Sequence, residues 1–199
     1  QEMFERAIAL DPKNARAREA LGALLVAGHR SADAQIVLDR AAALAPTDAT
    51  IQLDLATLWL NRAAVQSDPA LRAADVEQAR THLGAAWKLD QTAPETYASL
   101  GRSHVLLRDD PARAVELLEG AERLLATDAA IQLLLADAYL AVGRDADAAA
   151  KLRAVATNPH ARQQEAQRAS EQLAGLPANR TVPASAPSTG EAATPAPAN

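Results

Sequence analysis

The segment FERAIALDPKN, Phe4 to Asn14, returns 34 positions later as LDRAAALAPTD, Leu38 to Asp48. Ala7, Leu10 and Pro12 become Ala41, Leu44 and Pro46. A second signature, Leu21-Gly22, recurs as Leu55-Ala56, Leu100-Gly101 and Leu135-Ala136, at intervals of 34, 45 and 35 residues. In step with it run Ala34, Ala79, Ala114 and Ala148, each followed four positions later by Leu38, Leu83, Leu118 and Leu152. One copy of so short a unit cannot bury its own apolar face, so the copies must stack on one another. This period constrains the fold more than any other feature.

Each copy reads as helical. In TYASLGRSHVLL (Thr96 to Leu107), Tyr97, Leu100, His104 and Leu107 fall on one face of an amphipathic helix. Hydrophobic residues make up 49% of the chain but aromatics only 3%, so alanine and leucine must fill the core. Those are strong helix formers, β-branched residues are few, and almost no sheet is expected.

The units resemble the tetratricopeptide repeat (TPR). Its first helix carries aromatic-x₂-Leu-Gly-x₂-Tyr, and its second carries Ala-x₃-Phe and ends near a proline. One unit offers Tyr97, Leu100, Gly101, His104, Ala114 and Leu118; the next offers Leu135, Ala136, Tyr139, Ala148 and Leu152. Arg18 and Gln52 stand where the first aromatic belongs, and leucine replaces the phenylalanine throughout. The resemblance implies an all-α fold, a right-handed α-solenoid of helix–turn–helix repeats. It also explains Gly101, which by helix propensity alone costs about 1 kcal/mol against alanine. The two helices of a unit cross closely at Gly22, Ala56, Gly101 and Ala136, where a larger side chain would overpack by ~1–3 kcal/mol. Leu25, Trp59, His104 and Tyr139 then fill the wedge between units.

The phase divides the chain. Residues 1–14 read as the second helix of an incomplete unit, followed by units at 15–48, 49–93, 94–128 and 129–159. Residues 160–176 read as a capping helix anchored by Leu173 and Leu176, and 177–199 as a disordered, Pro- and Ala-rich tail. The sequon Asn179-Arg180-Thr181 falls in that tail and is not expected to be glycosylated. The second unit carries an insert around 64–74, with helices expected over 49–63 and 75–90. It either extends both helices or forms a loop with its own turn, as spacer or as binding face. No proline is expected in a helix interior: Pro12, Pro46, Pro94 and Pro159 punctuate the units, and Pro111 follows Asp109-Asp110, a candidate N-cap. The chain starts inside a helix and lacks an initiator Met, so it reads as a fragment of a longer chain.

Several classes of function find no support. The net charge of −5 lacks the clustered Lys and Arg of a nucleic-acid footprint. There is no cysteine, and no apolar run long enough to span a bilayer. His29, His82, His104 and His160 share no metal-ligand spacing. His104 reads as a packed, hydrogen-bonded residue, His29 as part of a turn, and His160 as a cap of the last helix. Asp109-Asp110 and Asp145/Asp147 read as caps in turns that precede helices. No nucleophile, phosphate-loop or dinucleotide motif occurs, so no catalytic residue, metal or cofactor is expected.

In TPR proteins the ligand meets the face about a third of a turn from the packed one. By phase, that groove is Arg16, Glu19, Ala23 and Val26, then Leu53, Thr57, Leu60 and Asn61. It continues with Glu95, Ala98, Arg102 and Val105, and ends with Leu133, Asp137 and Leu140. The leucines either anchor a ligand or pack against neighbouring units, while Arg102 and Asp137 would orient an extended segment or an amphipathic helix. The carboxylate clamp of TPR co-chaperones is not met: Glu19 and Ala23 hold the first-unit places and no lysine lines the groove.

Two readings follow. In the first, the chain is a non-catalytic scaffold binding a peptide or helix of a partner protein, in assembly of a bacterial complex. In the second it is the C-terminal accessory array of an enzyme, peptidase-like or transferase, whose catalytic domain precedes Gln1. Self-association through the unpaired N-terminal helix fits either. A bacterial cytoplasm, periplasm or envelope is equally compatible.

Overall fold

The computed structural model of the protein describes residues 1–176; the expectations for the tail and its sequon lie outside the described residues. Ten α-helices and no strand occur among those residues: α1 (Glu2–Leu10), α2 (Ala15–Ala27), α3 (Ser31–Leu44), α4 (Ala49–Val65), α5 (Pro69–Leu89), α6 (Pro94–Leu107), α7 (Pro111–Leu124), α8 (Ala129–Ala141), α9 (Asp145–Ala156) and α10 (Gln163–Gly175). Short polar side chains start many of them. Asn14, Asp48, Asp68, Asp110 and Asp128 each accept from a backbone N–H in the first turn of the helix that follows. Pro69, Pro94 and Pro111 open α5, α6 and α7, where a missing N–H costs nothing. Asp145 and Asp147 lie inside the first turn of α9, not in the turn before it. Their negative charge there suits the helix N-terminus, and Asp147 accepts from Arg144 Nε at 2.7 Å.

Neighbouring helices pair as α2 with α3, α4 with α5, α6 with α7 and α8 with α9, and each pair leans on the next. The even-numbered helices also touch one another in a row from α2 to α10, while no two odd-numbered helices among the described residues meet. That asymmetry makes the array curve, with α2, α4, α6 and α8 on its inner side. It is an all-α solenoid.

The crossing within each pair is as tight as the small residues require. A Cβ built on Gly101 would lie 2.6 Å from Leu118 Cγ, and one built on Gly22 would lie 2.5 Å from Leu38 Cγ. Ala56 and Ala136 are fully buried at the equivalent places. Leu38, Leu83, Leu118 and Leu152, the repeat-phased leucines of the second helices, are fully buried as well. Of the wedge residues, Leu25 and Tyr139 are buried, while Trp59 and His104 are half-buried. Arg62 lies 4.3 Å over the Trp59 ring and reaches Asp75 at 3.3 Å, sealing the edge.

The insert lengthens both helices of its pair. α4 runs on to Val65 and α5 begins at Pro69, so the expected ends at 63 and 75 are corrected by a connection of only Gln66, Ser67 and Asp68. Asp68 caps α5 and the Arg72 guanidinium donates twice to the Gln66 carbonyl, which closes the turn. The tip leaves Val65 86% and Leu71 54% exposed.

At the other end α10 packs on α9 and α8. Ala169, fully buried, sits deeper than the anticipated anchors Leu173 and Leu176, which are half-buried. His160 is not the cap: α10 starts at Gln163, and Glu165 accepts from the backbone N–H of Arg162. No described helix is long and apolar enough to cross a membrane.

Candidate partner-binding groove

The inner surface is built by the exposed sides of α2, α4, α6 and α8. Arg16 and Glu95 are exposed there, and Glu19, Ala23, Val26, Leu53, Thr57, Asn61, Ala98, Val105 and Leu140 are half-buried. Two expected members are elsewhere. Leu60 is 0% and Leu133 4% exposed, each inside a core cluster between helices. For these two leucines the packing alternative is the correct one.

The two charged groove residues are already engaged, in opposite directions. Arg102 of α6 reaches back to α4, where its Nη2 donates to Asn61 Oδ1 at 2.9 Å and, at 3.5 Å, to the Leu60 carbonyl. Both acceptors are neutral. Burial, with the like charge of Arg168 as a smaller cause, lowers the pKa of this guanidinium. Asp137 of α8 faces forward to α10: Oδ2 accepts from Arg168 Nη2 at 2.5 Å and Oδ1 from Gln172 Nε2 at 2.8 Å.

Between the C-terminal ends of α6 and α8, the start of α7 and α10 lies a pocket of about 680 Å³. Val105, Ala138, Leu140 and Ala141 give it apolar walls, and His104, Arg108, Asp137 and Arg168 its polar ones. His104 is held at the side. Its Nδ1 is 2.8 Å from Asp109 Oδ1 and 3.1 Å from Arg80 Nη2. Burial pushes the Asp109 carboxyl up, but hydrogen bonds from Arg80 and His104 outweigh it and leave the pKa below the ordinary value. Arg108, in the left-handed conformation that ends α6, is exposed at the rim.

A third polar feature was not anticipated. Asp54 of α4 faces Glu19 of α2, and its Oδ2 is buried with no hydrogen-bond partner. Burial first, then the charge of Glu19, its hydrogen bond and the charge of Asp48, raise the Asp54 pKa from 3.8 to about 7. The other histidines stand apart. His82 is 2.9 Å from Gln52 Oε1, with its pKa lowered chiefly by burial, and His29 holds a positive φ in the α2–α3 turn. No three His, Cys, Asp or Glu side chains among the described residues are placed to hold a metal ion.

Stacked helix pairs, a small residue at each crossing and a row of first helices on the inner side together define a TPR-type helical repeat array. The thermophilic TPR protein TTC0263 of Thermus thermophilus has a similar structure. Its TM-score is 0.74, with 20% sequence identity over 87% of this chain and 88% of that one. Two other solved structures align more loosely. One is the flexible tandem repeat domain of a bacterial cellulose synthase component, with a TM-score of 0.42, 23% identity and coverage of 91% and 85%. The other is YrrB, described as a TPR protein with an unusual peptide-binding site, with a TM-score of 0.39, 14% identity and coverage of 84% and 97%. No protein-family model and no curated protein matches the sequence.

Proposed function

We propose that this protein is a non-catalytic protein–protein interaction scaffold that seats a peptide or helix of a partner on the inner surface of α2, α4, α6 and α8, in assembly of a bacterial complex. The observation that carries the reading is the unbroken row of first helices, which leaves a concave strip ending in the 680 Å³ pocket. Half-buried Leu53, Val105 and Leu140 supply apolar contacts at intervals along it. The polar groups between them fix register more than affinity.

The test is site-specific photo-crosslinking in the cell that makes the protein. A photoreactive residue at Thr57 or Ala98, on the inner surface, should capture a defined partner. The same residue at Ala112 or Glu116, exposed on α7, should not. Equal capture from both faces, or none from the inner one, would reject the reading.

A further inference from the structure

The charges on the inner surface do not balance, and the imbalance has a direction. Arg102 is half-buried, and its hydrogen bonds go only to neutral acceptors. Its counterpart one repeat on, Asp137, could have neutralised it, but both oxygens of that carboxylate are taken by α10. Asp109 is likewise committed to Arg80 and His104. Arg108 pairs with no carboxylate among the described residues. At the α6–α8–α10 end of the groove three guanidiniums, Arg102, Arg108 and Arg168, therefore outnumber the one pocket-lining carboxylate, Asp137, and only Arg168 is bound to it. The opposite end carries the facing carboxyls of Glu19 and Asp54, with Arg16 exposed beside them on α2. An anion is thus drawn to the α6–α10 end, where a guanidinium lacks a counter-ion.

We infer that the α6–α8–α10 end of the groove selects an acidic side chain, Asp or Glu, of the partner segment, seated by Arg102 and Arg168. An adjacent apolar residue of that segment packs on Val105 and Leu140. Val105 lies one helical turn beyond Arg102 on the same face, so the charge and the apolar wall are presented side by side. A buried cation lacking a counter-ion gains more from an incoming carboxylate than an exposed one does, because its solvation is already lost. The inference rests on the groove reading above and names the chemistry that the groove prefers.

The probes are three fluorescein-labelled decapeptide pools, degenerate in Ala, Leu and Val. They differ only in one fixed central residue: Glu, Gln or Lys. Fluorescence anisotropy with the full chain at low ionic strength should rank Glu first, about tenfold tighter than Gln, as expected for one charge-assisted contact. Arg102→Gln should erase that tenfold preference, bringing the Glu and Gln pools to the same affinity. Arg168→Gln, on a half-exposed side chain, should also erase it, by freeing Asp137 to repel the acid. Circular dichroism melts establish that each variant is folded, and the second variant keeps the test valid if the first is not. Equal binding of the Glu and Gln pools, with both weakened by Leu140→Asp, overturns the acid preference and leaves the groove reading intact. Preference for the Lys pool also overturns it. Failure of every pool to bind overturns both.

Discussion

Leu118 of α7 occupies the space that a side chain at Gly101 of α6 would need. The nearest atom, Leu118 Cγ, is no mobile tip, and the residue is fully buried. Gly101→Ala should therefore destabilise the protein. The overpacking of ~1–3 kcal/mol outweighs the helix-propensity gain of about 1 kcal/mol. Gly84 of α5 provides the control, because nothing lies within 4 Å of a Cβ built there. Gly84→Ala should stabilise by about 0.5–1 kcal/mol. Urea-unfolding midpoints that move in the same direction for both variants would contradict the close crossing.

The Glu19–Asp54 pair makes part of the stability depend on pH. Because the folded pKa of Asp54, about 7, lies above its ordinary 3.8, the folded state holds a proton that the unfolded chain releases between those values. Stability from this site is therefore present below pH 4, falls as pH rises toward 7, and levels off above that value. Asp54→Asn removes the dependence, so the variant's melting temperature relative to wild type should climb from pH 5 to about pH 7 and flatten by pH 8. His82, whose pKa is lowered chiefly by burial, acts in the opposite sense in both proteins and cancels in the difference. A constant offset across that range would refute the assignment.

Tyr139 tests the wedge between the last two pairs. Its hydroxyl donates to Glu119 Oε1 at 2.9 Å, and Arg144 stacks on its ring at 4.2 Å. Tyr139→Phe should cost about 1.5 kcal/mol, the low end for a hydrogen bond to a charged group, because the Glu119 carboxylate is partly exposed. Burial and Glu119 push the phenol pKa from 10.0 up to about 12, so wild type should lose stability as pH rises between those values. The phenylalanine variant should not lose it. Denaturant melts at pH 8 and pH 11 measure both effects.

Leu60 and Leu140 should separate cleanly. Leu60→Ala or Leu133→Ala empties a closed core and should cost about 2–5 kcal/mol. Leu140→Ala, at a half-buried position, should cost much less. Thermal melts of the single variants decide it, and similar losses would mean that the pocket wall is core.

The crossings were legible because tight contact leaves a mark that survives substitution: a small residue held in phase with a leucine, as at Gly101 and Leu118. The groove was less so. Leu60 and Leu133 differ from the residues that face the inner surface by only a fraction of a helical turn, and that fraction depends on how closely the next pair approaches. No single repeat encodes that distance. Asp54 escaped for a related reason. Alone it reads as an ordinary surface carboxylate, and it becomes unusual only once α2 is laid beside α4. The one hint was arithmetic: the position one period after Glu19 is Leu53, the immediate neighbour of Asp54. The lengths of α4 and α5 were left open because propensity alone does not distinguish a longer helix from a short loop in AAVQSDPALRA.

Similar units in one chain carry a hazard: any second helix can mistake another unit's first helix for its own, and tandem arrays misassemble in this way. The 17-residue α4 and 21-residue α5 differ in length from every other helix here. Matched to α4, α5 overhangs by about one turn, whereas a 13- or 14-residue partner would strand about two turns of it in water. The lengthened pair thus works as a key within the chain. It favours one partner for α5, and the units on either side take their places around that pair.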